Sequence, residues 1–81
     1  MHIEEIRYVT TLEGGKPLDP QFNDTIHTDT SNIVIPRRGE LVAGWRDYKG
    51  TPVFRVEEVL YVAGDHVVMI MLSFVKYSVI I

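Results

Sequence analysis

Ile35-Pro36-Arg37-Arg38-Gly39-Glu40-Leu41-Val42 opens a series of short β-prone runs that continues through Val56-Glu57-Glu58-Val59 to Val67-Val68-Met69-Ile70-Met71-Leu72. Pro36 donates no ladder hydrogen bond, so it ends the extended run Ile33-Val34-Ile35 or sits at an edge. Arg37-Arg38-Gly39 turns the chain into a strand over Glu40–Trp45. Arg46-Asp47-Tyr48-Lys49-Gly50 has the composition of a hairpin connection, with Gly50 able to take the positive φ that closes it. A strand over Thr51–Val62 follows. Its alternation fails at Val56-Glu57-Glu58-Val59, where two apolar residues fall three apart. A β-bulge there returns both valines to the inner face and adds the bend that a small barrel requires. Ala63-Gly64-Asp65-His66 makes the next turn, and Val67–Phe74 the next strand. Val75–Ile81 continues that strand or forms a last one after a kink near Ser73.

Working outward, residues 3–12 read as a first strand, with Ile6, Tyr8, Thr10 and Leu12 on one face. Glu13-Gly14-Gly15-Lys16-Pro17 breaks it. Residues 18–32 are rich in Asp, Thr, Asn and Ser, with Phe22 and Ile26 as isolated apolar anchors, so 13–32 reads as one long polar loop. No segment has the periodicity of an amphipathic helix. The chain is all-β: one domain over residues 1–81, a partly open barrel of about five strands with a long N-terminal loop insertion.

At 81 residues and 46% hydrophobic content, the chain can bury one modest core. It has no cysteine, which excludes disulfides and thiolate metal sites and suits a reducing, cytoplasmic setting. Met1–Thr11 holds two glutamates and no continuous apolar core, unlike a secretory signal. The apolar run Val67–Ile81 is 15 residues, contains Lys76 and is rich in β-branched types, so no membrane association is expected.

The net charge of −3 is unevenly spread. Residues 1–35 carry Arg7 and Lys16 against Glu4, Glu5, Glu13, Asp19, Asp24 and Asp29, a balance of −4. Residues 36–55 carry Arg37, Arg38, Arg46, Lys49 and Arg55 against Glu40 and Asp47, a balance of +3. That is too few cations for general nucleic-acid binding, which draws on many phosphate contacts. It suffices for a local anion site.

Val67–Leu72 is apolar on both faces. One face lines the interior; the other calls for a cover, supplied by residues 3–12 or by a second copy in a homo-oligomer.

Catalytic signatures are missing. His27-Thr28-Asp29 has the donor types of a metal site or base pair, but no second histidine stands at a ligand interval. His2 and His66 fall at a terminus and a turn. Ser31, Ser73 and Ser78 lack an elbow motif, and Glu13-Gly14-Gly15-Lys16 is too short for a phosphate loop. No enzyme activity and no cofactor are expected. The candidate binding residues are Arg37, Arg38, Trp45, Arg46, Tyr48 and Lys49. Arginine forks grip phosphate or carboxylate, and aromatic faces stack on bases or cations.

The blocks Ile35–Val42, Val53–Val59 and Val67–Ile70 resemble small SH3-like barrel proteins, many of them encoded by bacteriophages and prophages. The resemblance implies an SH3-like barrel and a non-enzymatic accessory role, such as inhibition of host defence in the host cytoplasm. Two functions stay open on that footing. One is an oligomer that sequesters a small anionic, nucleotide-like ligand through the six residues. The other is an adaptor or inhibitor that binds a host protein through a strand edge or the 13–32 loop.

Overall fold

The computed structural model describes residues 2–10, 12–13, 16–17, 20–28 and 34–78. It contains strands β1 (Glu5–Thr10), β2 (Leu12–Glu13), β3 (Lys16–Pro17), β4 (Asp24–His27), β5 (Leu41–Ala43), β6 (Thr51–Val62) and β7 (Val67–Ser78). Five of them form one sheet in the order β4-β1-β7-β6-β5, and β2 and β3 pair separately. No helix long and apolar enough to cross a membrane occurs among the described residues.

The antiparallel pair of β6 and β7, 12 residues each, is the spine of the sheet. Its register breaks twice. Val56 faces Leu72 and Glu58 faces Met71, so Glu57 is the extra residue of a bulge. The bulge sets Val56 and Val59 opposite Leu72 and Ile70, as the spacing of the valines requires. Glu57 is left exposed and accepts a hydrogen bond from the Ser73 hydroxyl. The second break leaves Val75 unpaired between Phe74, opposite Phe54, and Lys76, opposite Val53. A bulge on each strand sharpens the local twist, and the five-stranded sheet curls into a half-barrel. The residues after Ser73 therefore continue β7 through Ser78 instead of starting another strand.

Parallel pairing of β1 with β7 begins at the β6–β7 turn. His66 takes a left-handed conformation, φ 54°, and its carbonyl accepts the Glu4 N–H at 2.7 Å. From there Ile6, Tyr8 and Thr10 lie beside Val68, Ile70 and Leu72. These side chains share the concave face with Phe54 and Val56, and Ile6, Phe54, Ile70 and Leu72 have no solvent exposure. Phe22 closes this core from above, its ring 6.0 Å from Phe54 and 5.7 Å from Tyr8.

Three expectations change. The segment 13–32 is not simply a loop: it contains β3, the edge strand β4 and the core residue Phe22. β4 reads as polar because an edge strand buries so little; in Asp24-Thr25-Ile26-His27 only Ile26 packs against the core. Residues 14–15, 18–19 and 29–33 lie outside the described residues, as does the tail 79–81. Next, β1 does not cover the outer face of β7 but extends the sheet beside it, which leaves Met69 and Met71 half-buried. Finally, the strand expected over 40–45 shortens to β5. It ends next to Gly44, where a Cβ would fall 2.9 Å from Phe54 Cε2 and 3.3 Å from Phe22 Cδ2. Val34 to Pro36 form no strand, although Ile35 packs on the core.

Two outcomes follow from this core. Phe54→Ala should lower unfolding stability by about 3–5 kcal/mol, while Leu60→Ala on the outer face changes it by less than about 0.5 kcal/mol, as urea titration will read. Burial raises the pKa of the Tyr8 phenol, with the Asp24 charge adding to it. A group whose folded pKa is raised contributes stability that is lost as pH climbs through that value. Above about pH 10 the wild type should therefore lose stability relative to Tyr8→Phe; parallel alkaline profiles for the two proteins would contradict this.

Candidate functional site

The candidate binding residues separate into two groups at opposite ends of β5. Arg37 and Arg38 occupy a reverse turn in which Glu40 N–H donates to the Arg37 carbonyl at 3.0 Å and the Glu40 carboxylate accepts the Arg37 N–H. Gly39, at φ 89°, docks the turn on β6 by donating to Val56 O at 2.8 Å. At the other end, Asp47 and Gly50 exchange hydrogen bonds of 2.9 and 3.2 Å around a two-residue tip, Tyr48-Lys49. Gly50 has the positive φ its position suggested, 122°, and a Cβ there would fall 2.9 Å from Ser78 O. At about 3.3 Å per residue along Thr51–Val56, the two groups stand about 17 Å apart.

The hairpin tip is tied down locally. Asp47 Oδ1 accepts the Lys49 N–H at 2.7 Å, and Asp47 Oδ2 accepts the Tyr77 hydroxyl at 3.5 Å. Lys49 Nζ lies 5.5 Å from the Tyr48 ring centroid and 5.9 Å from that of Tyr77, a cation held between two aromatic faces. Both carboxylates of this region are thus engaged by main chain or hydroxyl. Arg37, Arg38 and Arg46 are exposed and make no ion pair among the described residues.

Trp45 lies at the surface. Phe22 and Phe54 are the buried core aromatics, with Phe74 packed against them, and Trp45 stands 72% exposed with its ring edge-on to Phe22 at 6.3 Å. Tyr48 is 92% exposed. The buried aromatic row therefore braces Trp45 from below and leaves most of its ring to solvent.

A second feature lies at the far end of the sheet, where the sequence showed only scattered residues. His2, Glu4, Glu5, His27 and Thr28 line an open cleft of about 370 Å³. His2 Nε2 is 3.4 Å from Glu4 Oε1, His27 Nδ1 is 3.9 Å from Glu5 Oε1, and Arg7 grips Glu5 Oε2 at 2.8 and 3.0 Å. His66 joins them, its ring 5.1 Å from that of His2. All three histidines of the chain therefore meet at this end. The parallel β1–β7 pairing brings His66 to His2 and the antiparallel β1–β4 pairing sets His27 opposite Glu5, and no local spacing signals either. Among the described residues no grouping of histidines and carboxylates has the geometry to hold a metal ion.

The chain matches no protein-family model, no curated protein and no solved structure.

Because Trp45 is the sole tryptophan, its fluorescence reports on the basic surface. The ratio of iodide to caesium quenching should exceed that of free N-acetyltryptophanamide, since Arg46 and its neighbours concentrate anions. A ratio at or below that of the free indole would show that the field at Trp45 is not positive.

Proposed function

We propose that the protein is a non-enzymatic protein-binding module whose working surface is β5 with its two flanks. One observation carries this: Trp45 and Tyr48 stand 72% and 92% exposed beside arginines that form no ion pair among the described residues. Trp, Tyr and Arg dominate the energetics of protein interfaces, where a braced ring buries large area at small entropic cost. A role as adaptor or inhibitor of another protein fits this surface. The curled sheet and its bulged hairpin support the SH3-like resemblance.

Sequestration of a small nucleotide-like anion is the weaker reading. The two basic groups lie about 17 Å apart on an open surface, and the described cleft is lined by histidines and glutamates instead. A second copy would have to close a pocket around such a ligand.

The two readings separate by experiment. A partner captured by the wild-type chain should be lost on a Trp45→Ala, Tyr48→Ala double variant of unchanged melting temperature, while nucleotides and cyclic nucleotides leave the melting temperature of the wild type unmoved. A rise in melting temperature with a nucleotide would favour ligand capture. Equal capture by wild type and double variant would overturn the proposed surface.

A further inference from the structure

The two edges of the sheet are not equivalent. In an antiparallel ladder, hydrogen-bonded and non-hydrogen-bonded residue pairs alternate. Val56 N–H donates to Glu40 O at 2.9 Å and Gly44 N–H donates to Pro52 O at 2.8 Å, so the Glu40 C=O, the Gly44 N–H and, by alternation between them, the backbone groups of Val42 point toward β6. Leu41 and Ala43 consequently direct both N–H and C=O away from the sheet, and among the described residues β5 has no further strand beside it. The opposite edge, β4, is blunted. There the same alternation turns Thr25 outward, and the Asp24 carboxylate takes its N–H at 2.9 Å. Among the described residues nothing of this kind caps β5.

The open edge also carries a defined charge pattern. Arg37 and Arg38 stand at one end and Arg46 at the other, with exposed Leu41 between them and Trp45 beside Arg46. Glu40 and Asp47, the two carboxylates within this stretch of chain, accept the Arg37 and Lys49 amide N–H groups.

We propose that β5 receives an extended acidic peptide segment of a partner protein as an added strand. The segment hydrogen-bonds to the N–H and C=O groups of Leu41 and Ala43, and places an apolar centre against Leu41 and Trp45. Its carboxylates, spaced about five residues apart to match the ~17 Å between the basic ends, meet Arg38 and Arg46. Strand addition of this type draws affinity from main-chain pairing and selectivity from side chains. The inference rests on the binding-module reading and specifies its partner.

The test is selection of a displayed random peptide library on the full chain, followed by titration of the selected peptides against Trp45 fluorescence and amide exchange. Selected peptides should be acidic toward both ends. They should slow exchange at Leu41 and Ala43, and weaken at least about tenfold when N-methylated on alternate amides, which removes pairing without touching the protein. Ala43→Pro, which removes an outward donor at an edge position, should do the same at unchanged melting temperature and with Val42 still protected from exchange, and an Arg38→Glu, Arg46→Glu variant should select basic peptides. An empty selection, a preference for basic peptides by the wild type, or indifference to N-methylation would each overturn the proposal. Indifference to N-methylation with loss of binding on Trp45→Ala would overturn strand addition alone and leave the binding surface standing. Retention on Trp45→Ala as well would overturn both.

Discussion

Everything in this fold hangs on the bulged pairing of β6 with β7. Two 12-residue strands in perfect register would make a long, gently twisted ribbon with Glu57 or Val59 on the wrong face. Skipping Glu57 on one strand and Val75 on the other keeps Phe54, Val56 and Val59 on the same side as Ile70, Leu72 and Phe74 while the ribbon bends. The concave face so formed is what β1 and Phe22 pack against, and its far rim is what holds β5. The hydrophobic core is small, with Ile6, Phe54, Ile70 and Leu72 fully excluded from water. A register slip would therefore cost most of the core at once.

The same bending accounts for the difference between the two ends of the molecule. At the β6–β7 turn, the left-handed His66 passes its carbonyl to Glu4, and Tyr61 donates its hydroxyl to His2 O at 3.1 Å. Backbone and side chains are closed on one another there, and the histidines and glutamates meet. At the β5 side the strand ends next to Gly44, whose N–H still donates to Pro52 O at 2.8 Å and whose missing side chain leaves room for the Phe54 and Phe22 rings. Beyond that end Trp45 lies outside the sheet and on the ring edge of Phe22. An exposed aromatic braced by buried ones is thus a consequence of core packing as much as of surface composition.

How much of this was legible from residues alone depended on how local the cause was. The bulge at Val56-Glu57-Glu58-Val59 was readable because it breaks a period of two within one strand, and β6 was delimited correctly because Gly50 and Ala63-Gly64 punctuate it. The turn at Gly50 followed from its freedom to adopt positive φ. By contrast β4 escaped notice, since a four-residue edge strand with a single core-facing side chain has no periodicity to detect. The parallel β1–β7 pair joins residues some sixty positions apart, and neither it nor the gathering of His2, His27 and His66 leaves any local mark. The basic and aromatic residues were picked out by type. Their division between the two ends of β5 is a matter of strand length, which composition does not encode.

The central claim is that β5 is a formed strand with one side bonded and the other open. Amide hydrogen exchange resolved by residue tests it directly on the isolated chain. Val42, paired with Phe54, should exchange slowly, while Leu41 and Ala43 exchange at rates close to those of the exposed β6–β7 turn at all protein concentrations. Protection of all three amides would mean that the edge is already occupied, and protection rising with concentration would identify the occupant as a second copy; either result would contradict an open edge.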